Sequence, residues 1–383
     1  AAPVSFAFIV NPTPDVNQPA NQAVCTGTST TLVDFTGNVS STTFNWTNDQ
    51  PSIGLAANGT GDILVFNPNN NGYTNVVANI TVTPTSNGCT GTPKDFSITV
   101  YPTPGMIQPL NQFQCNGETT IGTNFTSPVA GVNFTWTNSL PSIGLPASGT
   151  GNLPPFVTNN PANTSVTATI TVTPSTATCP GIPKTFYITV DPTPDMAQPA
   201  NQVVCNGQVV NATNFAGTVA GTSYSWINSN ASIGLPASGT GDVPSFIAVN
   251  HTYFPVTAII QVTGSANSCG SLVRVFTITV NPSPVVDDVT SQSVCNGMTT
   301  TAIQLTGPVS GTTFNWKNDK PSIGLPAIGN GDIPAFTAIN NTNTPIVATI
   351  IVFGVSANCG EALDTLTITV NPSAAVQANN NTN

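Results

Sequence analysis

The sequence predicts an all-β chain of four tandem β-sandwiches queued as an extended rod, and three observations predict it. Landmark residues recur every ninety positions, apolar and polar residues alternate over short runs, and no stretch sustains a 3.6-residue period. The cysteines Cys25, Cys89, Cys115, Cys179, Cys205, Cys269, Cys295 and Cys359 are spaced by alternating gaps of 64 and 26 residues. Trp46, Trp136, Trp226 and Trp316 lie 90 apart, as do Pro12, Pro102, Pro192, Pro282 and Pro372. No insertion or deletion breaks the count.

The repeats are read as residues 14–103, 104–193, 194–283 and 284–373, with 1–13 as the last strand and linker of a preceding repeat and 374–383 as a tail or the start of another linker. Within a repeat, strands are expected near 22–25, 30–36, 42–48, 62–66, 76–84 and 94–100, with an edge strand around 53–57. Bulky apolar positions recur at Phe35, Phe125, Phe215 and Leu305, and at Phe44, Phe134, Tyr224 and Phe314. Ile53-Gly54-Leu55 returns unchanged in every copy, as does Phe66, and so do Ala78, Ile80 and Val82. The final run keeps Phe96 (Leu366 in the fourth copy), Ile98 and Val100. Apolar side chains at every second position mark strands with one face buried. Seven or so short strands in ninety residues, with a core tryptophan on the third, describe an immunoglobulin-like sandwich. Gly59-Thr60-Gly61 and its counterparts read as a turn at a strand corner, since a phosphate-binding loop needs a following helix.

Val4 to Pro14 repeats the pattern of Asp95 to Pro104, a last strand followed by its Pro-Thr-Pro link. Either the sequence is a window on a longer tandem array, or residues 4–10 are a donor strand for a neighbouring subunit. The fourth copy owns a last strand, Leu366 to Val370, and so has no vacancy for a donor.

Composition narrows the function. Only 5% of the 383 residues are charged, against about a quarter in ordinary soluble domains, and the net charge is −10. That excludes a basic footprint for nucleic acid or anionic lipid. No run of 18 apolar residues is present, so membrane insertion is not expected. Ala1-Ala2-Pro3-Val4 lacks the basic region of a signal peptide. Solubility must come from amides and hydroxyls, which suits a secreted, extended protein.

An even number of cysteines at fixed spacing points to disulfides; a metal site would need histidine partners or a CxxC pair. Two pairings compete. Within repeats the bonds would be Cys25–Cys89, Cys115–Cys179, Cys205–Cys269 and Cys295–Cys359. Between repeats they would be Cys25–Cys179, Cys115–Cys269 and Cys205–Cys359. Topology favours the second set. Cys25 precedes the second strand, at the pole where the chain leaves the sandwich, whereas Cys89 lies in the hairpin at the opposite pole. Strands of 7–10 residues separate the poles by roughly 25–35 Å, and a disulfide needs Cα atoms within about 7 Å. Cys89 and Cys295 would then pair with repeats beyond this sequence.

No catalytic constellation, cofactor site or metal site is expected. The single histidine, His251, reads as a solvated loop residue. Asp287-Asp288 reads as a solvated pair in a linker. Asp62, Asp242 and Asp332, with Asn152 in the second copy, read as turn-formers ahead of calcium ligands. Asn-X-Ser/Thr triplets such as Asn45-Trp46-Thr47 leave glycosylation open.

The Cys25-Thr26-Gly27 opening (Cys-Asn-Gly elsewhere), Phe44-Asn45-Trp46, Ile80 to Pro84, Asn87-Gly88-Cys89 and Phe96 to Val100 resemble the PKD-like, immunoglobulin-like tandem repeats of large Bacteroidota surface proteins. The resemblance covers about residues 12 to 372. In the fourth copy Asn358-Cys359-Gly360 replaces Asn-Gly-Cys. The resemblance implies type 9 secretion, display on the bacterial cell surface, and a role in adhesion, filament building or gliding, with no catalytic residue to transfer.

The expected function is therefore a non-catalytic structural segment of an extracellular fibre, stalk or filament. Its partners would be neighbouring repeats of the same long chain, or identical chains in a fibre. The alternative is an adhesin module that binds glycan or protein through the variable loops 67–76, 157–166, 247–256 and 337–346. Tyr253 and Phe254 could stack on a sugar there, although packing against the neighbouring repeat is the plainer expectation.

Overall fold

A computed structural model describes residues 3–356 and 359–374. The expected features of Asn358, and of the tail from residue 375 onward, lie outside the described residues. The chain divides into two compact units, residues 1–192 and 193–383, each holding two repeats.

The first repeat shows the plan. Its strands are β1 (Gln22–Cys25), β2 (Thr43–Asn48), β3 (Asn58–Thr60), β4 (Val76–Ser86), β5 (Cys89–Thr90) and β6 (Lys94–Tyr101). They form a mixed sheet in the order β1-β6-β4-β2-β3, with β5 on β4. The β4–β6 hairpin is antiparallel, with Ala78 opposite Ile98 and Ile80 opposite Phe96, whereas β1 runs parallel to β6. The same five-strand order returns in each of the other three repeats.

Alternation decides which face is buried. Along β4, Ala78, Ile80 and Val82 are sealed, and across the hairpin Phe96, Ile98 and Val100 meet them. The intervening Asn79, Thr81, Ser97 and Thr99 lie on the other face and are exposed or half-buried. Val16, Val33, Phe35, Ile53, Leu55 and Ile63 close the core from the opposite layer.

That opposite layer departs from expectation. Segments 30–36 and 62–66 are not continuous strands; in the first repeat they meet at one bridge, Val33 with Ile63. Side-chain oxygens replace much of the ladder. The Phe66 N–H donates to Thr30 Oγ1 at 3.1 Å, and the Phe35 N–H donates to Asp62 Oδ1 at 2.9 Å. Prolines such as Pro154 and Pro155 in the second repeat remove further donors. The third repeat tests this account. Val210 stands where the first repeat has Thr30, no hydroxyl is available, and Val209–Val210 pairs with Phe246–Ile247 through the backbone as a two-stranded sheet.

Two further expectations are corrected. The edge strand around 53–57 is instead a single 3-10 turn, Pro51–Ile53, ended by Gly54 in the left-handed region. A proline at the first turn position and a glycine at its end favour that geometry. The Gly59-Thr60-Gly61 segment is only half a turn. Gly61 (φ +73°) turns the chain, but Gly59 lies in β3, directly opposite Trp46.

A side chain at residue 59 would place its Cβ 2.2 Å from the Trp46 indole, so glycine is what lets the ring lie flat on the neighbouring strand. Gly149, Gly239 and Gly329 stand in the same relation to Trp136, Trp226 and Trp316. All four tryptophans are buried. Gly149→Ala should therefore cost about 2–3 kcal/mol through overpacking, read as a lowered urea midpoint with altered Trp136 fluorescence.

Candidate functional site at the bridged junctions

Cys25 ends β1 and pairs in register with Tyr101, the last residue of β6. Cys179 lies in the hairpin between strands Val166–Ser175 and Lys184–Asp191 of the second repeat. The two are bonded, with Cα atoms 5.8 Å apart. Cys205 and Cys359 are bonded in the same way inside the second unit, with Cα atoms 5.2 Å apart. Both bonds span 154 residues and join consecutive repeats. Cys89 and Cys295 are free thiols, so neither Cys25–Cys89 nor Cys295–Cys359 is formed.

Beside the first bond the two repeats flank an open cleft of about 460 Å3, lined among others by Tyr73, Tyr101, Val129, Thr176 and Thr178. The Cys25 sulfur lies 3.5 Å from the Thr178 carbonyl oxygen. No charged side chain lines this space.

Buried asparagines hold the loops around the junctions. Asn160 donates through Nδ2 to the carbonyls of Thr164 (3.0 Å) and Val190 (2.7 Å), and its Oδ1 accepts from the Ala162 N–H (3.1 Å). Asn70, Asn250 and Asn340 make the same set of bonds. The variable loops are thus variable in side chain but pinned in backbone. Asn48, Asn138, Asn228 and Asn318 fasten the segment after β2 and its equivalents by bonds to the carbonyls of Leu55, Leu145, Leu235 and Leu325. Sequence reasoning that followed only apolar positions passed over both series, although their ninety-residue recurrence was a usable signal.

The linkers are latched by amides as well. Gln18, Gln108 and Gln198 donate at 2.7 Å to the carbonyls of Asp95, Thr185 and Val275 at the start of each last strand. Asn21, Asn111 and Asn201 accept from the N–H groups of Ser97, Tyr187 and Thr277. In the fourth repeat Asp287 and Asp288 occupy the positions of Asn17 and Gln18. Asp287 is therefore not simply solvated. Its Oδ2 accepts from the Thr306 hydroxyl at 2.8 Å, the reverse of the bond that Asn17 Nδ2 donates to Thr36 Oγ1. In the third repeat the Thr218 backbone N–H and hydroxyl hold the Asp195 carboxyl below the usual carboxylate range.

Asp62 and its equivalents are not local turn-formers. Each binds a backbone N–H 27 residues away: Asp62 at Phe35, Asn152 at Phe125, Asp242 at Phe215 and Asp332 at Leu305. Asn152 makes the bond through the same Oδ1 without a charge, so the role needs only an acceptor. Asp242→Asn should be within about 0.5 kcal/mol of the parent chain, whereas Asp242→Ala should cost about 1–2 kcal/mol by leaving the Phe215 N–H unpaired; urea titration of the two variants checks both.

His251 is exposed. Among the described residues, no group of three or more His, Cys, Asp or Glu could hold a metal ion. Tyr253 and Phe254 are 51% and 68% exposed. No helix among the described residues is long and apolar enough to cross a membrane.

No known protein family matches the chain, and no curated protein does. Solved structures of tandem extracellular domains are similar to it at low identity. The extracellular cadherin domains 1–4 of protocadherin gamma B7 are 11% identical, with 92% of this chain and 100% of that chain covered and a TM-score of 0.37. Mouse cadherin-23 EC22–24 is 12% identical over 70% of this chain and 98% of that chain, with a TM-score of 0.35. Sidekick-1 immunoglobulin domains 1–5 are 12% identical over 94% and 81%, with a TM-score of 0.29. Likenesses at these scores carry no conclusion about family or activity, and the β-sandwich repeat is the property described by the sheets themselves.

Proposed function

We propose that the chain is an adhesive segment of an extracellular protein, in which non-catalytic immunoglobulin-like repeats hold variable loops outward to bind a glycan or a protein. The observation that carries this reading is the Tyr253-Phe254 pair, left exposed on a loop whose backbone is pinned by buried Asn250. Flat aromatic faces on a rigid loop bind sugar rings or apolar side chains at little entropic cost. Disulfides joining consecutive repeats support an oxidising, extracellular setting.

A second reading is the structural segment of a bacterial surface fibre, stalk or filament, favoured by the covalent bonds across the repeat junctions. The resemblance to Bacteroidota surface repeats makes the bacterial cell surface the proposed location and type 9 secretion the proposed route. The ninety-residue period makes Cys115–Cys269 the proposed third bond of the series.

Glycan-array binding of the oxidised chain, compared with a Tyr253→Ala/Phe254→Ala variant, tests the adhesive reading. Binding that falls at least tenfold in the variant supports it. Absence of binding to glycans, and to extracellular proteins in a parallel screen, leaves the structural reading.

A further inference from the structure

The cleft beside Cys25–Cys179 takes one wall from each repeat of the first unit, and that bond ties the walls together. On one side Cys25 stands in register with Tyr101, whose carbonyl accepts from the Thr26 N–H and the Thr26 hydroxyl, each at 3.0 Å. On the other side Cys179 closes a tight turn with Thr176. The Thr176 N–H donates to the Cys179 carbonyl at 2.9 Å, and the Thr176 hydroxyl accepts from the Cys179 N–H at 3.0 Å. Asn70 adds a third tie. Its Nδ2 donates to the carbonyls of Thr74 (2.8 Å) and Val100 (2.9 Å), the neighbours of Tyr73 and Tyr101, so one buried amide sets both tyrosine backbones.

Neither tyrosine is needed by the sandwich. Along the four repeats the first position reads Tyr73, Asn163, Tyr253 and Asn343, and the second reads Tyr101, Asp191, Asn281 and Asn371. The parallel pairing at the second position and the asparagine tie beside the first are kept in every copy, whatever the side chain. The two aromatics coincide in the first repeat alone, and there both line the cleft, with Tyr73 63% exposed. The rest of the lining selects a ligand class. Asn75, Thr176 and Thr178 offer donors and acceptors without charge, and Val129 adds apolar surface. That mixture complements a pyranose ring, which has an apolar C–H face and a hydroxylated rim. With no cation in the lining and a net charge of −10, an acidic glycan gains no attraction. A volume of about 460 Å3 is in the range of small-ligand sites, and an open cleft lets a chain of sugars run through it.

We propose that this cleft binds a neutral oligosaccharide, with Tyr73 and Tyr101 as stacking platforms and Cys25–Cys179 as the clamp that holds them against Thr176 and Thr178. The proposal rests on the adhesive reading and deepens it, by adding a site at a repeat junction and naming its ligand class. Rings presented on a backbone that is already fixed lose little freedom when a sugar stacks on them. The clamp acts in the same way on the threonine wall, which would otherwise have to be ordered by the ligand.

Calorimetric titration of the oxidised full chain tests this, with short linear oligomers of neutral hexose and of N-acetylhexosamine, and with uronic-acid oligomers of the same length. At least one neutral series should bind, and the acidic series should not. Tyr73→Asn and Tyr101→Asn install a residue that other repeats already carry at those positions, so the fold is kept, and each should weaken binding at least tenfold. Cys25→Ser/Cys179→Ser should weaken it at least threefold through lost preorganisation, with circular dichroism unchanged. If the Tyr73→Asn/Tyr101→Asn chain binds as the parent does, the cleft assignment is overturned; loss of binding in Tyr253→Ala/Phe254→Ala alone then leaves the adhesive reading standing. If no neutral oligomer binds, or the acidic series binds equally well, the cleft assignment is overturned too, and binding to proteins in the parallel screen would keep the adhesive reading on its other loops. Equal affinity in the cysteine variant overturns the role given to the clamp.

Discussion

Pulled from its two ends, the oxidised chain should release far less length than the reduced one. Cys25–Cys179 and Cys205–Cys359 each span 154 residues, and force between the termini passes through the sulfur bridge rather than along the enclosed backbone. At 3.3–3.6 Å per extended residue, each bond withholds roughly 500 Å of contour. Single-molecule force spectroscopy should find that length returned, one increment per bond, when dithiothreitol is added. A Cys25→Ser/Cys115→Ser chain, which also lacks the proposed Cys115–Cys269 bond, should return one increment and leave the other. Equal extension with and without reductant would show that the bonds do not close these stretches. The same loops constrain the unfolded chain, and opening one should lower stability by about 5 kcal/mol on the chain-entropy account. The physical point is that the bridges cross from one repeat to the next, so they protect junctions as well as sandwiches.

Asn160→Ala is the point substitution expected to be most disruptive outside the core. It removes two donors from the buried carbonyls of Val190 and Thr164 and one acceptor from the Ala162 N–H. Leaving buried backbone groups unpaired costs about 1–3 kcal/mol each where water cannot replace the partner, so a total loss of about 3 kcal/mol is expected. Asn160→Asp retains the acceptor but neither donor, and it places a carboxylate beside two carbonyl oxygens. It should be no better than alanine at neutral pH. Urea unfolding followed by Trp136 fluorescence reads both, and amide exchange should show the loop 157–166 losing protection first. A shift of less than about 0.5 kcal/mol for either variant would mean that the loop is held by something other than this side chain.

Much of the fold was legible because hydrophobic alternation is a local property. Ala78, Ile80 and Val82, answered by Phe96, Ile98 and Val100, can only be the two inner faces of a hairpin once their period is seen. The ninety-residue recurrence then carries one repeat's reading to the rest. The opposite layer was less legible because its bonds are made by side chains whose partners lie far away in sequence. Asp62 reaches Phe35 and Thr30 reaches Phe66; both series recur about every ninety positions, but recurrence does not say which distant backbone group each side chain meets. The turn Pro51–Ile53 was read as an edge strand because Ile53 and Leu55 alternate as strand residues do, although a proline and a glycine bracket them.

The junction cysteines show the same division. Their 64- and 26-residue gaps are a property of the sequence, and the separation of the poles follows from strand length. By itself, then, the sequence determined the repeat, its hydrophobic faces, its lack of charge and the even set of thiols. The tertiary structure decided which sulfur meets which, that Gly59 makes room for Trp46, and that amides of Asn70 and Gln18 stand in for backbone ladders. Those outcomes depend on three-dimensional proximity between residues tens of positions apart, which pattern along a chain does not encode.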